Sequence, residues 1–245
     1  MAPLVPSRLL CVALFAAAGN AAEQRRCKKR DMAGSLKDCT SIFLDFDKLS
    51  KPELDKLVAL VGSESNLRFL SLRDNGIDEA DALALAEALK HNRNLYTLRY
   101  RENPLGATVV GAIASHPALT SLDVRGTKIG DEGAASLAQL LSSSAVLTDL
   151  QLRSASIGES GAVALARSLT HHPALALLDL GNNAVGNAGA VALAEALQTN
   201  RVLEKLHVQS PSVTSSGWKA LDDAMGANAV VSVISTRGGG HKLEL

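Results

Sequence analysis

An α/β solenoid built from stacked strand–helix units is the fold this sequence predicts, and three observations predict it. One pattern recurs, most clearly as LRFLSLRDNGI (67–77), LTDLQLRSASI (147–157) and LALLDLGNNAV (175–185). Copies begin at Cys39, Leu67, Leu95, Leu119, Leu147, Leu175 and Leu203, with a truncated one at Val231, at intervals of 28 residues except for one of 24. Self-similarity at such a period marks a repeat architecture. Within each copy the hydrophobic period also changes, from two to that of a helix.

The first half of a unit places apolar residues three and five positions after its start, as in Leu70 with Leu72 and Leu122 with Val124, and another at ten, as in Ile77, Leu105, Ile129 and Ile157. Period two predicts a short strand. The second half, as in GDEGAASLAQLLSSS (130–144) and GNAGAVALAEALQTN (186–200), sets Ala134, Leu137, Ala138 and Leu141 on one helical face. Alanine favours helix and adds no bulk, so pairs such as Ala162 with Ala166 and Ala190 with Ala194 let the helix lie close to its strand. No such unit buries itself alone, but stacking does bury it, with a parallel sheet on one side and helices on the other. The unit at 95–118 is four residues short in its helical half, about one turn, and predicts a shorter helix. Trp218 stands where Ala162 and Ala190 stand in earlier units and is expected to cover the end of the stack.

These repeats resemble leucine-rich repeats of the ribonuclease-inhibitor-like subtype, over about Cys39 to Thr236. The resemblance implies a curved α/β solenoid, with parallel strands on the concave face and helices on the convex face. It also implies a non-enzymatic scaffold that binds a protein on the concave face. The family's turn asparagine falls at Asn75, Asn103 and Asn183, whereas Asp47, Thr127, Ala155 and Pro211 replace it elsewhere. Ala155 and Pro211 cannot bond through a side chain, so looser turns are expected there. Ran GTPase-activating proteins are built from similar repeats, which makes regulation of a small GTPase the alternative expectation. Against that, their acidic C-terminal stretch is absent here. Ribonuclease inhibitors themselves are larger and richer in cysteine and tryptophan.

The flanking segments read separately. Residues 1–21 carry Arg8, the apolar run Leu9–Ala18 and small residues at Gly19 and Ala21, the form of a secretory signal peptide. That run is too short to span a bilayer, and no later run is long enough. Residues 22–38 are basic, with Arg25, Arg26, Lys28, Lys29 and Arg30 close together. Cleavage near Ala21 leaves two cysteines, Cys27 and Cys39. They are candidates for a disulfide in an oxidising compartment, while Cys39 also fits as a small core residue. After the repeat domain (39–236), the segment 237–245 reads as a flexible tail ending in Lys242, Leu243, Glu244 and Leu245. This ending resembles the Lys-Asp-Glu-Leu retrieval signal, with Leu243 in place of the acidic residue. The expected location is the secretory pathway, either the endoplasmic reticulum lumen or outside the cell, with the cytoplasm as the alternative.

Composition narrows the chemistry. Formal net charge is zero and aromatic content 3%, so neither a basic footprint nor a stacking platform for nucleic acid is present. The six histidines are scattered without HExxH or CxxC company, and neither a GxSxG elbow nor a GxxxxGK loop occurs. No catalytic residue, metal ligand or cofactor site is therefore assigned. Acidic residues at helix starts, such as Asp131, Glu132 and Glu159, read as caps.

The register does map a concave face, because residues alternating with the core leucines point the other way. Six residues after each unit's start come Asp45, Arg73, Arg101, Arg125, Arg153, Gly181 and Gln209. Four consecutive strands thus present an arginine, about 4.8 Å apart. Like charges so close need anions, supplied either internally, with Asp123, Asp149, Asp179 and Glu102 within reach, or by an acidic protein partner. The candidate binding set is Arg73, Arg99, Arg101, Arg125 and Arg153, with Phe43, Phe69 and Leu177 as apolar anchors. Reversing Arg101 and Arg125 to Glu is expected to abolish capture of the partner without unfolding the chain.

Overall fold

The computed structural model describes residues 25–63, 65–114, 116–142, 145–227, 232–237 and 241–242. The expected signal peptide (1–21) and Leu243, Glu244 and Leu245 lie outside the described residues. Strands and helices alternate: β1 (Arg26–Cys27), β2 (Ser41–Phe43), α1 (Lys51–Val61), β3 (Phe69–Arg73), α2 (Glu79–Leu89), β4 (Thr97–Arg101), α3 (Ala107–Ala114), β5 (Ser121–Asp123) and α4 (Gly130–Leu141). There follow β6 (Asp149–Gln151), α5 (Glu159–Leu169), β7 (Leu177–Asp179), α6 (Gly186–Thr199), β8 (Lys205–Val208), α7 (Ser215–Ala227), β9 (Ser232–Arg237) and β10 (His241–Lys242). Among the described residues, the ten strands form one sheet in chain order. Neighbours from β1 to β9 pair in parallel, and β10 turns back antiparallel on β9. His241 and Lys242, expected in a flexible tail, thus extend the sheet.

The register puts one apolar residue of every unit in line: Ile42, Leu70, Leu98, Leu122, Leu150, Leu178 and Leu206 are each partners of the next. All seven are at most 1% exposed. Each such burial is worth roughly 2–3 kcal/mol, which is why a sheet of strands only two to six residues long holds. Strands sit about 4.8 Å apart while packed helices need about 8–10 Å, so a stack of strand–helix units bends with its sheet inside.

The helix layer is tight because its contacts are small. A Cβ on Gly189 would lie 2.8 Å from the Ala162 Cβ of the preceding helix. The second glycine of GNAG is thus a helix–helix contact. In the short unit, α3 spans eight described residues against eleven to fourteen in the other α-helices, yet Thr97 still pairs with Ser121 and Leu98 with Leu122. The missing turn is taken from the helix alone. Trp218 is 4% exposed in the last helix.

Two polar ladders hold the turns. Asn183 Nδ2 donates to the carbonyls of Leu152 (2.8 Å) and Leu180 (3.0 Å), and its Oδ1 accepts from the N–H groups of Ala155 (3.0 Å) and Ile157 (3.1 Å). Asn103 reaches Leu72 and Asn75 in the same way. The looseness expected at Ala155 is therefore absent, since the following unit's asparagine holds that turn and Ala155 is fully buried. At Pro211 the neighbours substitute: Ser210 Oγ accepts from Val185 N–H (3.0 Å) and Ser212 Oγ from Gly186 N–H (2.9 Å).

The second ladder lies three residues before the unit starts, at the buried residues Asn92, His116, His172 and Asn200. Asn92 Oδ1 accepts from the N–H groups of Asn94 and Leu95, both at 2.8 Å, while Nδ2 donates to the Val61 carbonyl. His116 performs the acceptor half through Nδ1, which takes the Ala118 N–H at 3.2 Å. Burial, then the charge of Arg93, push its pKa from 6.5 down to about 4, against a smaller upward pull from the Asn92 backbone. Between these values the unfolded chain binds a proton that the folded chain refuses. The stability tied to neutral His116 is therefore complete above pH 6.5 and is lost as pH falls toward 4. Since Asn92 and Asn200 fill the same place, His116→Asn should keep the bonds and remove the titration. Thermal melts should show a flatter pH dependence between 6.5 and 4, with Tm at pH 8 changed by no more than about 2 °C. An unaltered slope would discount His116 as the titrating group.

Candidate partner-binding face

The residue after each concave arginine position adopts the left-handed conformation in six successive units: Phe46, Asp74, Glu102, Gly126, Ser154 and Asn182 have φ between 49° and 72°. The cause is visible in the ladder. From this turn, Phe46 N–H reaches the Arg73 carbonyl (2.6 Å), Glu102 N–H that of Arg125 (3.0 Å) and Ser154 N–H that of Gly181 (2.9 Å). Inter-unit pairing thus continues past the strand ends, at about 1 kcal/mol for each non-glycine residue held there. The same turn fixes the arginines just before it.

Arg73, Arg101, Arg125 and Arg153 are all half-buried and line one shallow cavity of about 290 Å3 with Glu102, Gly126 and Ser154. Their counter-charges come partly from the protein. Arg73 Nη2 donates to Glu102 Oε1 at 2.7 Å, which raises its pKa further. Arg101 Nε (2.6 Å) and Arg125 Nε (3.0 Å) both grip Asp123, whose side chain is 2% exposed. Arg153 Nη2 donates to Gln209 Oε1 at 2.8 Å. Further along the face, burial raises the pKa of Asp149, aided by Asp123, against the opposing Gln151 amide. Asp179 is also raised by burial, but hydrogen bonds from His207 and the Gly181 N–H bring it below its usual value.

Asp123 changes what the arginines can tolerate. It is a buried carboxylate whose charge is balanced by Arg101 and Arg125, and removing partners from a buried ion strongly destabilises a fold. Reversing both to Glu would place three carboxylates together, so the double reversal is expected to destabilise the fold rather than leave it intact.

Phe43 and Phe69 stack with ring centroids 4.7 Å apart, and Arg26 and Arg99 cover their outer faces at 5.6 Å and 5.0 Å. These two anchors therefore sit inside an arginine–aromatic stack, each half-buried. Leu177 shares the face but lies four strands from Phe69 and does not join the stack. Sequence reasoning missed Phe46. It is 61% exposed, left-handed at φ 61°, and stacks under the Arg73 guanidinium at 4.5 Å. The available signal was a phenylalanine at a turn position that holds Asp, Glu, Gly, Ser or Asn in other units. Arg26 also escaped notice as part of the face, because it belongs to the segment before the repeats.

That segment is anchored. Cys27 and Cys39 form a disulfide with Cα atoms 5.9 Å apart, both side chains fully buried. Between them Met32 and Leu36 cover the first unit, and Lys56 Nζ donates to the Met32 carbonyl at 2.5 Å. Among the described residues no cluster of His, Cys, Asp and Glu could hold a metal ion, and no helix is long and apolar enough to cross a membrane.

The Leucine Rich repeat family matches at residues 64–86, 115–138, 143–166 and 174–194. Among solved structures the chain is similar to Leiomodin-1 Actin-Binding Site 2 (ABS2), at 12% identity and a TM-score of 0.40, over 82% of this chain and 86% of that one.

Proposed function

We propose that this leucine-rich repeat solenoid, of the long, ribonuclease-inhibitor-like kind, is a non-enzymatic scaffold that binds an acidic protein segment on its concave face. The observation that carries this reading is the convergence of Arg73, Arg101, Arg125 and Arg153 on one cavity. Planar guanidinium groups bind carboxylates in a bidentate fashion, and arginines and exposed aromatics such as Phe46 are the residues enriched where partners bind tightly.

The partner would be met in the secretory pathway. Supporting that location are the signal-like residues 1–21 and a disulfide formed by the two cysteines that cleavage would leave. An internally tagged chain lacking Lys242 to Leu245 should then escape into the medium, and unchanged intracellular retention would remove the tail from this account.

Arg153→Ala tests the binding face with little risk to folding, because its side chain supports no buried carboxylate by direct contact. Immobilised chain 22–245 should retain its captured partner at least about tenfold less well after the change, a loss of about 1.4 kcal/mol. Equal retention by the Arg153→Ala and Arg73→Ala variants would refute the concave arginines as the binding surface.

A further inference from the structure

The cavity's charge is unbalanced at contact distance. Four guanidinium groups line it, and two carboxylates touch them: Glu102 at Arg73, and Asp123 shared by Arg101 and Arg125. The other acids nearby act on these guanidiniums from beyond hydrogen-bond distance, Asp45 and Asp74 on Arg73, Asp149 on Arg125 and Asp179 on Arg153. Asp179 is held by His207 and the Gly181 N–H, Asp45 by the Ser71 hydroxyl at 2.6 Å, and Asp149 by the Gln151 amide at 3.1 Å. Arg153 has only the neutral Gln209 oxygen as its side-chain hydrogen-bond partner among the described residues. The cavity thus carries two more positive than negative charges at contact distance, and Arg153 is the one of the four that touches no carboxylate of the described residues.

Gly126 stands between Glu102 and Ser154 in the turn column with φ 72°, and a Cβ there would press on Glu102 Cγ at 2.8 Å. A compact dianion with several acceptor oxygens answers that excess of positive charge. A carboxylate brings one charge, whereas a phosphoryl group brings about −1.5 to −2 at pH 7 and three strong acceptors. Its oxygens match the paired N–H groups of neighbouring guanidiniums.

We infer that the cavity is a phosphoryl-recognition site, and that the acidic segment bound on the concave face presents a phosphorylated side chain between Arg125 and Arg153. This rests on the binding face proposed above and names the chemistry it selects. Phe46, stacked under Arg73 at the cavity's N-terminal side, gives the same segment an apolar contact next to its charge.

Fluorescence anisotropy with chain 22–245 and three forms of one acidic peptide, carrying serine, glutamate or phosphoserine at its centre, tests the inference. The phosphoserine form should bind at least about tenfold more tightly than the glutamate form, and Arg153→Ala should erase that difference. Its affinity should also fall from pH 7 to 5.5, as the phosphoryl group gains a proton with a pKa of about 6, while the glutamate form holds steady. Equal affinity of the glutamate and phosphoserine forms would overturn phosphoryl recognition and leave the acidic-partner reading standing. Lack of binding by all three would overturn both. Displacement of the phosphopeptide by an equal concentration of inorganic phosphate would point to a free-anion site and overturn the protein-borne assignment.

Discussion

Asn183→Ala is expected to lower the unfolding free energy by roughly 3–5 kcal/mol, the largest loss of any single polar substitution considered in the repeats. The side chain is 3% exposed and serves three groups of the preceding unit: the N–H of Ala155, the N–H of Ile157 and the carbonyl of Leu152. Removing the carboxamide takes these bonds from all three groups. Each buried group left without a bond costs about 1–3 kcal/mol. Against a total stability of roughly 5–15 kcal/mol, this is a large share. Because units contact only their neighbours, the damage should centre between β6 and β7, and the urea transition should broaden as well as shift. Thr127→Ala is the control: that hydroxyl serves the Val124 carbonyl of its own unit, so about 1 kcal/mol is expected. A change at Asn183 no larger than at Thr127 would contradict this account of the ladder.

Breaking the Cys27–Cys39 bridge, by reduction or by the double serine variant, is expected to cost roughly 3 kcal/mol. Closing a loop with a sequence separation of 12 removes about that much freedom from the unfolded chain. The loss also releases the cap, because the bridge holds β1 against β2 and keeps Met32 and Leu36 over the first unit. A terminal unit stripped of its cap frays first. Melting with and without reductant should therefore show a lower Tm for the reduced chain, and limited proteolysis should cut near Lys28, Lys29 and Arg30 only after reduction. Equal protease resistance in both states would mean that packing alone seats the cap.

The architecture was legible because it is written locally. A leucine or isoleucine three places into each unit, an alanine-rich helical half and a near-constant 28-residue interval need no knowledge of distant residues, and the structure aligns the first of these as the column from Ile42 to Leu206. The four arginines were legible for the same reason: period two dictates which side of a strand a residue faces, and the cavity gathers Arg73, Arg101, Arg125 and Arg153. The turns were harder. Ala155 appeared undersupplied because its own unit has no amide to offer, and the bond arrives from Asn183, in the next unit. His116 and His172 looked scattered because an imidazole nitrogen accepting N–H groups in an asparagine's place is not a residue-type pattern.

By itself, then, the sequence determined the repeating unit, the number of units, the inward and outward sides of each strand and the place where one helix loses a turn. Only the tertiary structure decided how charge is shared across the face: that Asp123 serves both Arg101 and Arg125, that Glu102 takes Arg73, and that Arg153 meets no carboxylate directly. It also decided that Phe46 faces solvent under an arginine and that a segment outside the repeats contributes Arg26. The physical reason is distance along the chain. Hydrophobic period is set by backbone geometry within a few residues, whereas these pairings join side chains up to 56 residues apart and depend on how each unit is registered against the next.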